Sequence, residues 1–264
     1  MRKILNILLW IGLPLGVLAL SIFAQNHYFQ RTLTALNVDI NYSKTGESNR
    51  FLTYEDVTTF VRHRYDSLEG RKIEDINIEQ IEKDLLEIPY VLTADAYITM
   101  DAQLQVRINQ RRALVRVIDV LGDQFYLDEK ARMIPIRSFY PARVLVCNGV
   151  IPSVGFYKKQ HSPQELDSLV ESSILNDIYR MAKYIDADSL LRKQIVQLNV
   201  NFQGEFVLVP LVSNHIIKFG KAEDIDEKFK KLKVFYTDGL GHHRWNNYKV
   251  INLKYKNQIV CTKN

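Results

Sequence analysis

Val91-Leu92-Thr93-Ala94-Asp95-Ala96-Tyr97-Ile98-Thr99-Met100 changes character at every step, with Leu92, Ala94, Ala96, Ile98 and Met100 on one face and Thr93, Asp95, Tyr97 and Thr99 on the other. A period of two marks a strand with one buried face. Asp101-Ala102 supplies a turn, and Leu104, Val106 and Ile108 alternate with Gln103, Gln105, Arg107 and Asn109 in a returning strand. Upstream, Asn77-Ile78-Glu79-Gln80 opens a helix that turns Ile81, Leu85 and Ile88 inward and stops at Pro89, which has no amide hydrogen to donate. Before it, Thr53-Tyr54-Glu55-Asp56 has the form of a capping box ahead of an apolar stripe of Val57, Phe60 and Val61. Earlier still, Leu36, Val38, Ile40 and Tyr42 alternate with Asn37, Asp39 and Asn41 as a first strand. The predicted order is strand, helix, helix, strand, strand.

At the start of the chain, Ile4 to Gln30 contains no Asp, Glu, Lys or Arg. Its core, Ile4 to Phe23, is long enough as a helix to span a hydrocarbon layer of ~30 Å, whereas the apolar part of a cleaved signal runs to only ~7–15 residues. Pro14, Gly12 and Gly16 are tolerated inside membrane spans, and Ile22-Phe23-Ala24 is a poor cleavage site. Arg2 and Lys3 precede the span, and positive charge stays on the cytoplasmic side, so nearly all of the chain is expected outside that membrane. The expected layout is a cytoplasmic tail over 1–3, a single transmembrane helix over 4–24 and a linker over 25–35.

Beyond Leu114 the pattern is mainly of short strands: Leu114 to Val120, Phe125 to Leu127, Ile134 to Ile136, Val144 to Cys147, Ile195 to Phe202, Phe206 to Val209 and Ile216 to Phe219. Gly122-Asp123, Asp128 to Lys130, Asn148-Gly149 and Gln203-Gly204 read as turns. Ser162-Pro163-Gln164-Glu165 is a helix start, after which Leu166, Val170, Ile174, Ile178 and Ala182 recur along one face. Ala222 to Tyr236 is a further helix, acidic first and lysine-rich afterwards, which reads as a solvated helix complementing its dipole and ending at Gly239. Lys249 to Tyr255 then forms a strand, Lys256-Asn257 a tight turn, and Gln258 to Lys263 the last strand, which by its residues alone can be either an edge or a covered strand.

Composition narrows the chemistry. With 264 residues and 47% hydrophobic content the chain can build about two modest cores. A net charge of +5 spread over 35 basic and 30 acidic residues is too diffuse for a nucleic-acid groove. Cys147 and Cys261 allow a single bridge at most and no cysteine-rich metal site. His242-His243 are neighbours that would point to opposite faces of a strand, and His27, His63, His161 and His215 are scattered, so no metal-ligand spacing occurs. There is no phosphate-binding glycine loop and no G-x-S-x-G elbow, and the acidic residues fall mostly at helix starts and turns. The expectation is a protein that is not an enzyme, with no cofactor, no metal, no catalytic residues and no small-molecule substrate.

The strand-helix-helix-strand-strand order is similar to a POTRA domain, a small module that binds polypeptide segments. Leu86-Glu87-Ile88-Pro89-Tyr90-Val91, then Ala94 to Ala96, then Leu104-Gln105-Val106-Arg107-Ile108 resembles the corresponding passage of the FtsQ (DivIB) family, in which a POTRA domain follows a single membrane span. The ending from Gly220, a helix, a glycine, Ile251-Asn252-Leu253-Lys254-Tyr255, a short turn and Gln258-Ile259-Val260, resembles the same family's C-terminus. Gln110-Arg111-Arg112-Ala113 depart from the family pattern, Ala131 stands where a hairpin glycine is usual and implies a different turn geometry, and Asn252 and Lys254 replace Asp and Arg. The resemblance implies an α+β fold: one N-terminal transmembrane helix, a POTRA domain (β-α-α-β-β) over 36–111 and a β-rich domain with packed helices over 112–264. It implies a non-enzymatic septum-assembly scaffold, single-pass in the cell inner membrane, linking early and late division proteins. It also implies partners: proteins similar to FtsB and FtsL adding a strand at Tyr255, Gln258, Ile259, Val260, Cys261 and Thr262, and other division proteins at the POTRA domain. Two other classes fit a single anchor followed by strands, a bitopic periplasmic lipid or lipopolysaccharide carrier component and an anchored wall hydrolase.

Overall fold

The computed structural model describes residues 13–22, 30–42, 49–137, 141–153, 155, 173–239 and 247–263. The chain forms two units: Met1–Tyr42 with Leu52–Gln110, and Ser43–Phe51 with Arg111–Asn264.

The first unit runs β1 (Ala35–Asn41), α1 (Tyr54–Tyr65), a 3-10 turn (Ile73–Asp75), α2 (Ile78–Leu85), β2 (Val91–Ile98) and β3 (Gln103–Gln110). Its sheet has the order β1-β3-β2, β1 parallel and β2 antiparallel to β3. Both predicted caps are present. Thr53 Oγ1 accepts from the Asp56 amide at 3.2 Å while the Asp56 carboxylate accepts from the Thr53 amide at 2.7 Å, and Asn77 Oδ1 accepts from the Gln80 amide at 3.0 Å. Such caps contribute about 1 kcal/mol each. Val57 and Val61 of α1 and Ile81 and Leu85 of α2 bury against Leu104, Val106 and Ile108 of β3. A bulge between Val91 and Thr93 shifts the pleat, so Val91 and Ala94 both face the core although they are three apart. Met100 does not continue that face: it lies past the end of β2, at the hairpin turn, and is 85% exposed.

Linking α1 to α2, the buried Asp84 collects Tyr65 Oη at 2.5 Å, Gln80 Nε2 at 2.6 Å and Arg64 Nε at 3.0 Å. The Tyr65 hydrogen bond, helped by those of Gln80 and Arg64, holds the carboxyl below its ordinary range against the opposing effect of burial.

Residues 13–22 are helical, and Leu13, Leu15, Val17, Leu18, Leu20 and Ile22 all have exposed side chains. Among the described residues no helix is long and apolar enough to cross a membrane. The rest of the expected span over 4–24 lies outside the described residues.

The second unit contains β4 (Ala113–Ile118), β5 (Gln124–Asp128), β6 (Met133–Pro135), β7 (Leu145–Gly149), α3 (Ile174–Ala187), α4 (Ser189–Gln194), β8 (Ile195–Val200), β9 (Phe206–Pro210), β10 (Ile216–Gly220), α5 (Ile225–Val234), a π-helical turn (Phe235–Gly239), β11 (Tyr248–Asn252) and β12 (Val260–Lys263). One sheet takes all nine strands in the order β12-β11-β10-β9-β8-β7-β4-β5-β6. β4, β7 and β8 run parallel, as do β10 and β11, and the other neighbours are antiparallel. Ile178, Ala182 and Ile185 of α3 and Phe229 and Leu232 of α5 share a core with Val117, Leu198, Leu208 and Ile217 of the sheet. The Phe229 ring stacks on Tyr184 at 4.9 Å and tilts against Phe219 at 4.8 Å. On β5, four successive residues, Phe125 to Asp128, are buried; Tyr126, on the other face from Phe125 and Leu127, packs against Phe51 and takes the Ala142 amide on its hydroxyl at 2.9 Å.

Several readings change here. Asn148-Gly149 is not a turn but the end of β7, paired with Asn199 and Val200 of β8. Gly149 has φ 108°, and a Cβ there would lie 2.2 Å from the Val200 carbonyl oxygen, so the glycine permits the close pairing. Ala131 has φ 61°, the left-handed conformation a glycine favours, so its turn is not remodelled; its amide closes on the Asp128 carbonyl at 3.1 Å. The helix start at Ser162, with Leu166 and Val170, falls outside the described residues, and α3 is capped by Ser173. The departures at 110–112 all find partners: Gln110 Oε1 accepts from the Leu52 amide at 2.9 Å, Arg111 pairs with Asp128 at 2.8 Å, and Arg112 binds Glu129 at 2.7 Å and Asp186 at 2.5 Å.

Candidate functional site

β12 is the last strand of the nine-stranded sheet and pairs on one side with β11, setting Asn252 opposite Val260, Ile251 opposite Cys261 and Val250 opposite Thr262. On its other side no strand stands among the described residues. Alternate amide and carbonyl groups of β12 therefore face outward, the arrangement to which a second chain can add a strand.

The turn leading into β12 is braced. Leu253 donates its amide to the Lys218 carbonyl at 2.9 Å, continuing the β10–β11 pairing, and Asn252 Oδ1 accepts from the Lys254 amide at 3.0 Å. Lys254 Nζ pairs with Glu205 at 2.6 Å, which holds that carboxyl below its ordinary range, and Lys231 of α5 donates to the Tyr255 carbonyl at 2.8 Å. Asn257 takes φ 59° to close the turn, the left-handed region that asparagine tolerates. The lysines of α5 thus do more than solvate a helix: beyond Lys231, Lys233 pairs with Asp188 at 2.5 Å and Lys228 donates to the Lys221 carbonyl at 2.8 Å.

Of the six residues singled out from sequence, Val260, Cys261 and Thr262 lie on β12. Val260 is 43% exposed, Thr262 is exposed and Cys261 half-buried. Gln258 and Ile259 stand just before the strand rather than within it; Gln258 is exposed, and Ile259 packs against the core. Tyr255 belongs to the turn, past the end of β11, and is half exposed.

Sequence reasoning missed a groove of ≈540 Å³ beside the edge, where α5 and the π-helical turn face the turn before β12, with Val234, Phe235 and Ile259 as its apolar lining. Its signal was Val234, apolar among lysines on a helix and 53% exposed.

Cys147 and Cys261 are both free thiols, and burial pushes each above its ordinary pKa. Among the described residues no group of three or more His, Cys, Asp or Glu is placed to hold a metal ion. His215, buried in the second unit, has Nδ1 2.9 Å from Ser213 Oγ and Nε2 3.1 Å from Tyr236 Oη. His242 and His243 lie outside the described residues.

No curated protein matches the chain. A family profile described as a POTRA-like domain matches residues 34–109. Another, described as FtsQ/DivIB, C-terminal related, matches residues 112–262, more than half of the chain and reaching into β12. With a three-stranded, two-helix unit ahead of a sheet of nine described strands that ends on β12, the protein belongs to the FtsQ/DivIB C-terminal related family, preceded by a POTRA-like domain.

Proposed function

We propose that this protein is a non-enzymatic scaffold of cell division, held in the inner membrane by residues 4–24 with its N-terminus cytoplasmic. Both folded units then work outside that membrane. Its task is to link early and late division proteins by docking, with a partner similar to FtsB or FtsL adding a strand to β12 and other division proteins meeting the POTRA-like unit. The open side of β12 is the observation that supports the strand-addition reading. Main-chain hydrogen bonds along such an edge provide affinity, while alternate side chains, here Val260 and Thr262, and the neighbouring groove select the segment.

Proline carries no amide hydrogen, and of two consecutive amides on a strand one faces the neighbour and the other faces out. Val260→Pro and Cys261→Pro therefore divide the effects. One of the two is expected to abolish co-purification of single-span, heptad-bearing division proteins with the tagged full-length chain, while its thermal melt stays that of the parent. Undiminished co-purification with both variants would sink the strand-addition reading.

A further inference from the structure

At the opposite end of the sheet from the β4–β5 and β8–β9 turns, where β4, β7 and β8 begin, the second unit holds a cleft of ≈680 Å³. Leu145, Ile185 and Ile195 form its floor. Leu211, 64% exposed, and Val196, 37% exposed, stand on its wall. Among the described residues Arg112, Arg143 and Arg192 also line it, against a single carboxylate, Asp186. Arg112 is already committed, bidentate to Asp186 and bonded to Glu129. Among the described residues neither the Arg143 nor the Arg192 guanidinium has an ion-pair or hydrogen-bond partner.

We propose that this cleft is a second docking surface, for an acidic polypeptide segment that lays one or two apolar side chains on the floor and its carboxylates on Arg143 and Arg192. The charge of the lining, three arginines to one aspartate, selects an anionic partner, and the planar fork of each guanidinium matches a carboxylate. The apolar floor, with Leu211 and Val196 beside it, selects against a small inorganic anion, which has no surface to cover them. The site does not depend on β12. Four strand steps separate β12 from β8 in the sheet, about 19 Å at ~4.8 Å per step, so both surfaces can be occupied at once.

The test is fluorescence anisotropy of the full-length chain with two labelled octapeptides, each with a central Leu-Leu pair, one flanked by glutamates and one by lysines. Vesicles of phosphatidylglycerol are assayed in parallel. The acidic peptide is expected to bind saturably and the basic one not. Arg143→Glu and Arg192→Glu should each weaken that binding by about fivefold and together by about 25-fold, the scale of exposed ion pairs at independent positions. Val260→Pro should leave it unchanged. Both arginines are exposed, so their variants should keep the parent melt; Leu211→Asp, which removes apolar wall and adds like charge, is an independent variant expected to weaken binding as well. Equal binding of both peptides, indifference to the arginine substitutions, or arginine-dependent binding of vesicles without binding of the acidic peptide would each overturn the proposal.

Discussion

Asp128→Ala removes a carboxylate that serves three donors at once. Asp128 is 2% exposed; its Oδ1 accepts the amides of Lys130 at 2.8 Å and Arg132 at 2.9 Å, and its Oδ2 accepts from Arg111 Nη1 at 2.8 Å. The Arg111 side chain is itself only 10% exposed, so truncation strands a guanidinium that water cannot fully reach as well as two turn amides. Breaking a buried pair from one side costs about 3–5 kcal/mol, chiefly as the desolvation of the group left behind. That is a large part of the ~5–15 kcal/mol by which domains are usually stable. With a urea dependence of ~2 kcal/mol per molar, the midpoint of the second unit should fall by about 2 M. Arg111→Met with Asp128→Asn is the informative control: the amide oxygen still accepts from the turn, no charge is stranded, and most of the loss should be recovered. A loss below about 1 kcal/mol for Asp128→Ala, or a double variant as unstable as the single one, would show that the pair does not anchor the β4–β5 hairpin.

Gly149→Ala should be at least as damaging, because the new Cβ meets Val200 backbone oxygen at 2.2 Å and nitrogen at 2.7 Å in mid-sheet, with φ at 108°. Overpacking and backbone strain together predict a loss of more than about 3 kcal/mol, read as a collapsed melt of the second unit; a parent-like melt refutes the pairing. Acid should destabilise the protein. Hydrogen bonds from Lys233 to Asp188, from Lys254 to Glu205 and from Tyr65 to Asp84 lead in holding these carboxyls below ordinary values of 3.8 for Asp and 4.5 for Glu. Their stabilisation is therefore present above those values and lost as pH falls through the lower folded ones, so the melting temperature should decline below about pH 4.5, less steeply in Lys254→Met. Tyr65, raised from 10.0 to about 12 by burial first and by its bond to Asp84 second, contributes one part of the loss in alkali, beside Cys147, Cys261 and Tyr236, which burial also raises. The unfolded chain ionises Tyr65 first, so stability should drop between about pH 10 and 12, and Tyr65→Phe should remove that component.

The first unit was largely readable because its determinants are local: a capping box, a second cap, Pro89 and two stretches of period two. Met100 misled because alternation continues past the point where the hairpin turns. The second unit was readable strand by strand but not as a sheet. The parallel pairings of β4 with β7 and of β7 with β8 join segments far apart in sequence, and nothing in a strand's own pattern names its neighbour. Asn148-Gly149 carried turn chemistry, yet the glycine serves close approach to Val200 within a strand. The resemblance of the C-terminal motif singled out six residues, of which Val260, Cys261 and Thr262 lie on β12. The groove beside them was not singled out, because it joins α5 to residues 257–259. Arg143 and Arg192, far apart in sequence, likewise meet only in the folded sheet.

Strand addition at the outer side of β12 is tested most directly by capture in place. A photo-crosslinking residue at Thr262, exposed on β12, is placed in the full-length chain in its native host, and the captured species is identified by mass spectrometry. A single dominant adduct with an extended segment of a single-span, heptad-bearing protein is expected, lost in whichever of Val260→Pro and Cys261→Pro abolishes co-purification. An adduct with lipid or glycan in its place, or a polypeptide adduct that survives both proline variants, would contradict strand addition.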